Sequence, residues 1–175
     1  AGGCSSLWLA FHADLADSSS PDPVARESTR PYCAAVVVAQ TTLDPLQMKE
    51  WIPNSRYGAH AFGFKRDSAR NLSNFDVFLA GREGILPWIA EYSPYALVSA
   101  DDPPVLLFYR NIPAIGQDQK DPTHTANFGV KLEERCREVG ARCELIHGGM
   151  PKPPDLDARR YIKNWLVEKL KGERL

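Results

Sequence analysis

No apolar run in this 175-residue chain is longer than the stretch from Cys33 to Ala39, far short of the ~20 residues a membrane-crossing helix needs. The sequence therefore offers no membrane span. Its four cysteines, Cys4, Cys33, Cys136 and Cys143, include no Cys-x-x-Cys pair and no histidine at ligand spacing. This argues against a zinc site, so neither a metal nor a cofactor is expected. The thiols read as free and buried; a helix-to-strand turn could bring Cys136 near Cys143, and spacing leaves the redox compartment open. An excess of one charge is also lacking. Lys and Arg number 21 against 22 Asp and Glu, for a net charge of -1, with no basic cluster and no aromatic residues interleaved with Lys or Arg. Nothing electrostatic points to nucleic acid. Neither an initiator Met nor a signal sequence precedes Ala1-Gly2-Gly3, so the sequence reads as beginning inside a domain.

What is present is a globular composition, 43% hydrophobic and 25% charged, enough for one core. Leu7, Trp8, Phe11 and Leu15 recur at helical spacing and predict a helix that fades at Ser18-Ser19-Ser20-Pro21. Cys33 to Ala39, with its three consecutive valines, reads as a central strand covered on both faces. Later come a strand over Val105 to Tyr109, a helix around Asn127 to Val139 stopped by Gly140, a strand over Arg142 to His147, and a helix from about Ala158 to Leu170. Strand, helix, strand, helix is the order of a parallel α/β sheet with right-handed crossovers.

Between the first two strands lie more than sixty residues carrying Trp51, Tyr57, Phe62, Phe64, Phe75, Phe78 and Trp88, too many for a simple crossover. The whole chain, 1–175, reads as a single α/β unit with a cap-like insertion at about 41–95. Three strands are few for a sheet buried on both faces. The fold is expected to be incomplete, with an open apolar edge and self-association through it.

Several segments carry a resemblance. Ala1-Gly2-Gly3 opening an amphipathic helix looks like the tail of a Gly-x-Ser-x-Gly elbow, in which a serine sits on a sharp strand-to-helix turn. Asp22-Pro23-Val24-Ala25-Arg26-Glu27, Asp101-Asp102-Pro103-Pro104 leading into the second strand, Lys120-Asp121-Pro122-Thr123-His124, Asn127-Phe128-Gly129 and Cys143-Glu144-Leu145-Ile146 follow in order. Together they resemble bacterial esterase/lipase-like members of the α/β-hydrolase superfamily, with this chain matching the C-terminal part that begins just after the nucleophile serine.

The resemblance implies a serine hydrolase that cleaves a small carboxylic ester by acyl transfer, a carbohydrate ester among the candidates. The serine would precede Ala1, and the Ala1 backbone N–H would help hold the oxyanion. Asp121 would be the carboxylate that orients the imidazole, with Asp118 as a nearby alternative. The base would come from the loop after the last strand, where relatives carry Pro-Asp-x-x-His and this chain reads Pro154-Asp155-Leu156-Asp157-Ala158. With no histidine beyond His147, His147 is the expected base. His124, close to Asp121, is the second candidate, and loss of the base, which would make the chain a non-catalytic binding module, is the third. His12 and His60 read as structural.

Overall fold

The computed structural model of the chain describes residues 1–150 and 157–172. Three parallel strands, β1 (Ala34–Val37), β2 (Val105–Phe108) and β3 (Cys143–Ile146), form one sheet in the order β1-β2-β3. Helix α1 (Gly2–Phe11) precedes β1, and α2 (Pro45–Trp51), α3 (Asn74–Ala80), α4 (Leu86–Tyr92) and α5 (Pro94–Leu97) lie between β1 and β2. Helix α6 (Asn127–Val139) joins β2 to β3, and α7 (Ala158–Lys171) follows.

Alternation along the strands divides the core. Val105 and Leu107 pack in one cluster with Leu7 and Phe11 of α1 and with Phe128, Leu132 and Cys136 of α6. Leu106 and Phe108 face the opposite side with Ile146 and with Ala158 and Trp165 of α7. This is an α/β fold, a parallel sheet with flanking helices. All four residues of β2 are buried, so the most apolar strand lies in the middle.

Two sequence expectations shift. The run Cys33 to Ala39 yields only the four residues of β1, which pairs with β2 alone among the described residues. An apolar run reports cover above and below a strand, and says nothing about who lies beside it. Helix α1 also stops at Phe11, leaving Leu15 outside it and 55% exposed. The Asp14 carboxylate takes the Ser28 hydroxyl at 2.6 Å and the Thr29 and Ala16 amides at 3.0 Å. These bonds hold its carboxyl down at about 2 and give the backbone a local alternative to another helical turn.

The long segment between β1 and β2 packs on the same core. Its Met48, Trp51, Phe75 and Phe78 belong to the same cluster as Leu7 and Phe11. Asp44, buried, caps α2 by accepting from the Leu46 amide and receives the Arg82 guanidinium on both oxygens at 2.8 and 2.7 Å. At the opposite end of the sheet, Arg30 bridges Asp101 and Asp102, both at 2.7 Å, and so ties the entrance of β1 to that of β2.

The outer side of β1 has no partner strand among the described residues. Ala34 and Val38 turn their amides to the Pro104 and Phe108 carbonyls of the β2 side, so the amides of Ala35 and Val37 point outward by the alternation of a parallel ladder. A groove of about 450 Å³ between Val37 and the Ile162, Leu166 and Leu170 side chains of α7 continues that edge. Light scattering is expected to show species heavier than the 19.5 kDa chain that grow with concentration, and Val37→Lys to suppress them. A monomer at every concentration would contradict self-association.

Candidate active site

The carboxyl ends of the strands are where open α/β sheets bind ligands, and here that end of β1 meets the first turn of α1. Ala1, Gly2, Gly3 and Cys4 share a cavity of about 250 Å³ with Val37 to Gln40, Tyr57, Thr123 and His124. The contact depends on Gly3. A Cβ there would lie 2.8 Å from the Ala39 Cβ and 3.3 Å from its Cα, whereas one on Gly2 would meet nothing within 4 Å. Helix α1 thus presses its backbone against the chain leaving β1. The unpaired amides of its first turn, with the positive end of the helix dipole, face the cavity.

The opposing wall is strained. Val38 has φ +47°, a left-handed conformation that costs a β-branched residue about 1–2 kcal/mol. Its amide still reaches the Phe108 carbonyl at 2.9 Å. The Tyr109 hydroxyl, fully buried, donates to the Ala39 carbonyl at 2.6 Å and holds the turn from the far side.

The third wall is the loop from β2 to α6. Asp121 sits on it with Oδ2 2.9 Å from His124 Nδ1, and its Oδ1 accepts the Thr123 and His124 amides at 3.1 and 3.3 Å. Partial burial pushes the Asp121 carboxyl up, but the hydrogen bonds from His124 and Thr123 outweigh it and hold it below its ordinary value.

The loop is fastened by amide side chains. Buried Asn127 accepts from the Ala114 amide at 2.8 Å and donates to the Trp51 and Ala114 carbonyls at 2.8 and 2.9 Å. Asn54 exchanges two bonds with the Gln119 backbone at 3.0 and 2.9 Å, and Asn111 accepts from the Ala126 amide.

The structure therefore brings Ala1 and His124 to one cavity, with Asp121 bonded to His124 from outside its lining. Among the described residues no hydrogen bond joins His147 to Asp121. His147 follows β3, and its Nδ1 accepts the Gly149 amide at 3.0 Å. The adjoining turn packs on the loop after β2, with the Gly148 amide on the Asn111 carbonyl at 3.1 Å. Ala158, where relatives are expected to carry histidine, is the buried first residue of α7; Pro154, Asp155 and Leu156 lie outside the described residues. His12 stacks on Trp8 and faces Glu91 at 3.1 Å, and His60 packs edge-on against Tyr57.

Two solved structures superpose on nearly the whole chain. One is an acetyl ester-xyloside bifunctional hydrolase from Caldicellulosiruptor lactoaceticus, with TM-score 0.54 and 20% identity over 97% of this chain and 52% of that one. The other is a truncated carbohydrate esterase from gut microbiota, with TM-score 0.57 and 13% identity over 96% of this chain and 56% of that one. The chain shares its fold with ester hydrolases. It spans about half the length of either neighbour, and at these identities the likeness is one of fold. No family model and no curated protein matches the sequence.

Sequence reasoning missed Val38, Tyr109, Asn54 and Asn127. A valine carries no sign of a left-handed backbone, and an asparagine shows its partners only after the chain folds.

Two outcomes follow from this geometry. Gly2→Ala should raise stability by a few tenths to about 1 kcal/mol, as alanine replaces glycine in a helix. Gly3→Ala should lower it, because overpacking costs typically ~1–3 kcal/mol; denaturant unfolding of the two variants reads the difference. Asp121 has a depressed pKa in the folded state. Its contribution to stability is present above the ordinary carboxylate value of about 4 and disappears as pH falls through the lower folded value. Asp121→Asn should therefore be less stable than the parent at neutral pH and converge with it in acid, by a small amount because the side chain is 56% exposed.

Proposed function

We propose that this chain carries the acid-bearing and oxyanion-binding part of a serine ester hydrolase of the α/β-hydrolase superfamily, acting on a small acyl ester. The observation that carries the reading is the shared cavity. The first turn of a helix supplies free amides at one wall, and a carboxylate-bound imidazole stands at another. The fold shared with two ester hydrolases supports it.

In this reading a serine immediately before Ala1 attacks the acyl carbon. The Ala1 N–H donates to the oxyanion that forms, and Asp121 orients the imidazole that moves the proton. A space of about 250 Å³ suits a small acyl group, being below the ~300–1,000 Å³ of pockets for larger ligands. Residues 41–95 act as a cap-like insertion that contributes Tyr57 to the rim. The sugar-ester substrates named for the neighbouring enzymes make an acetylated carbohydrate the first natural substrate to try.

Burial of Ala158, at the position where the resemblance leads one to expect a base, favours a second reading, a non-catalytic module of the same fold that binds a small molecule. One assay separates them. A polypeptide with Gly-x-Ser placed before Ala1 is expected to release p-nitrophenolate from p-nitrophenyl acetate, and serine-to-alanine or Asp121→Asn replacement to slow it by about a hundredfold or more. A folded polypeptide that turns over no short-chain aryl ester would leave the binding module standing.

A further inference from the structure

A neutral imidazole has one N–H and one lone pair, and only a nitrogen with a free lone pair can take a proton. The hydrogen bonds of each histidine decide which nitrogen that is. Asp121, held ionised by its own donors, can only accept. His124 Nδ1, 2.9 Å from Asp121 Oδ2, must therefore be the donor, and the neutral ring keeps its lone pair on Nε2. No hydrogen bond engages that nitrogen among the described residues, and the ring stands 53% exposed at the cavity shared with α1.

His147 has the opposite arrangement. Its Nδ1 accepts the Gly149 amide, so the neutral ring carries its proton on Nε2 and its one lone pair is engaged. The turn that produces this bond lies against the loop after β2: the Arg110 carbonyl fills the space beside Gly148, and the Gly148 amide donates to the Asn111 carbonyl. His60 has an aromatic neighbour, Tyr57, and no carboxylate bonded to it among the described residues.

We propose that His124 is the proton-transferring base of this site, carried on the same loop as its orienting carboxylate and three residues beyond it. The assignment rests on the ester-hydrolase reading. As the serine oxygen bonds to the acyl carbon, its proton passes to His124 Nε2. The imidazolium so formed keeps its Nδ1–H on Asp121, and the Nε2 proton passes to the alcohol oxygen as the ester C–O bond breaks. Water then repeats the exchange and releases the acid.

The 175-residue chain tests this without a serine, because a free imidazole lone pair attacks activated esters directly. His124 Nε2 bonds to the acetyl carbon of p-nitrophenyl acetate, and p-nitrophenolate leaves with the electron pair of the broken C–O bond. Water then cleaves the acetylimidazolium to acetate, a proton on each product being lost to buffer, and the imidazole is restored.

The chain is expected to release p-nitrophenolate about tenfold faster than an equal concentration of 4-methylimidazole, since the pocket holds ester and ring together. His124→Gln should remove that excess, Asp121→Asn should reduce it, and His12→Gln should leave it unchanged. Nitrogen-15 NMR of the neutral form should show His124 protonated on Nδ1. A parent chain no faster than 4-methylimidazole, an excess untouched by His124→Gln, loss of the excess in His147→Gln alone, or a His124 protonated on Nε2 would each overturn the assignment. The serine-bearing polypeptide keeps the two readings apart: turnover insensitive to His124→Gln overturns the base and leaves the ester hydrolase, whereas no turnover beside an intact His124 excess overturns the serine-ester reading.

Discussion

The approach of α1 to the end of β1, with Gly3 set against Ala39, is the contact on which the site depends. Only a residue without a side chain lets the two backbones meet at that distance. Because they meet, the start of a ten-residue helix lines the cavity at the carboxyl edge of the sheet. The same contact forces the chain leaving β1 to turn sharply. Val38 absorbs the turn in a left-handed conformation, and the Tyr109 hydroxyl secures it at Ala39. Strain of this kind persists where the surroundings over-determine it, and such places cluster at functional sites.

The loop carrying Asp121 and His124 is held by a different means. It has no regular structure of its own, so side-chain amides take the place of ladder bonds. Asn127 at the head of α6, Asn54 from the segment before β2, and Asn111 at the loop's own start satisfy its backbone. Asn127 also binds the Trp51 carbonyl, so the loop, α2 and α6 are joined at one corner. The charge pair at its tip is exposed and contributes little to stability. What the corner supplies is orientation: a fixed carboxylate sets which nitrogen of His124 bears the proton.

Much of the fold was legible because periodicity reports burial. The face of Phe128, Leu132 and Cys136 marked α6 and Gly140 marked its end, where the residue adopts φ +83°; apolar runs marked β1 and β2, and the place after Gly140 marked β3. Expectations weakened where a local hydrogen bond competed with periodicity, as Asp14 does before Leu15. They weakened again for β1, since its sequence records the helices above and below and not the neighbour beside it. In the proposed site, Asp121 was singled out by its place after β2 and Ala1 by the glycines that follow, both through the resemblance. His124 stood beside Asp121 as the second candidate after His147, because two histidines at plausible positions differ only in what their nitrogens touch.

The sequence by itself determined the class of fold, the succession of its three strands with α1, α6 and α7 about them, and the segments from which a site could be built. These are properties of local pattern, set by side-chain size, spacing and charge along a few turns of chain. Only the tertiary structure decided that His124 lines the cavity, its Nε2 without a hydrogen bond among the described residues, while His147 Nδ1 takes the Gly149 amide of its own turn. That choice depends on where the Arg110 carbonyl, the Gly149 amide and the Asp121 carboxylate come to rest. Their positions are fixed by contacts between segments that the order of residues does not display.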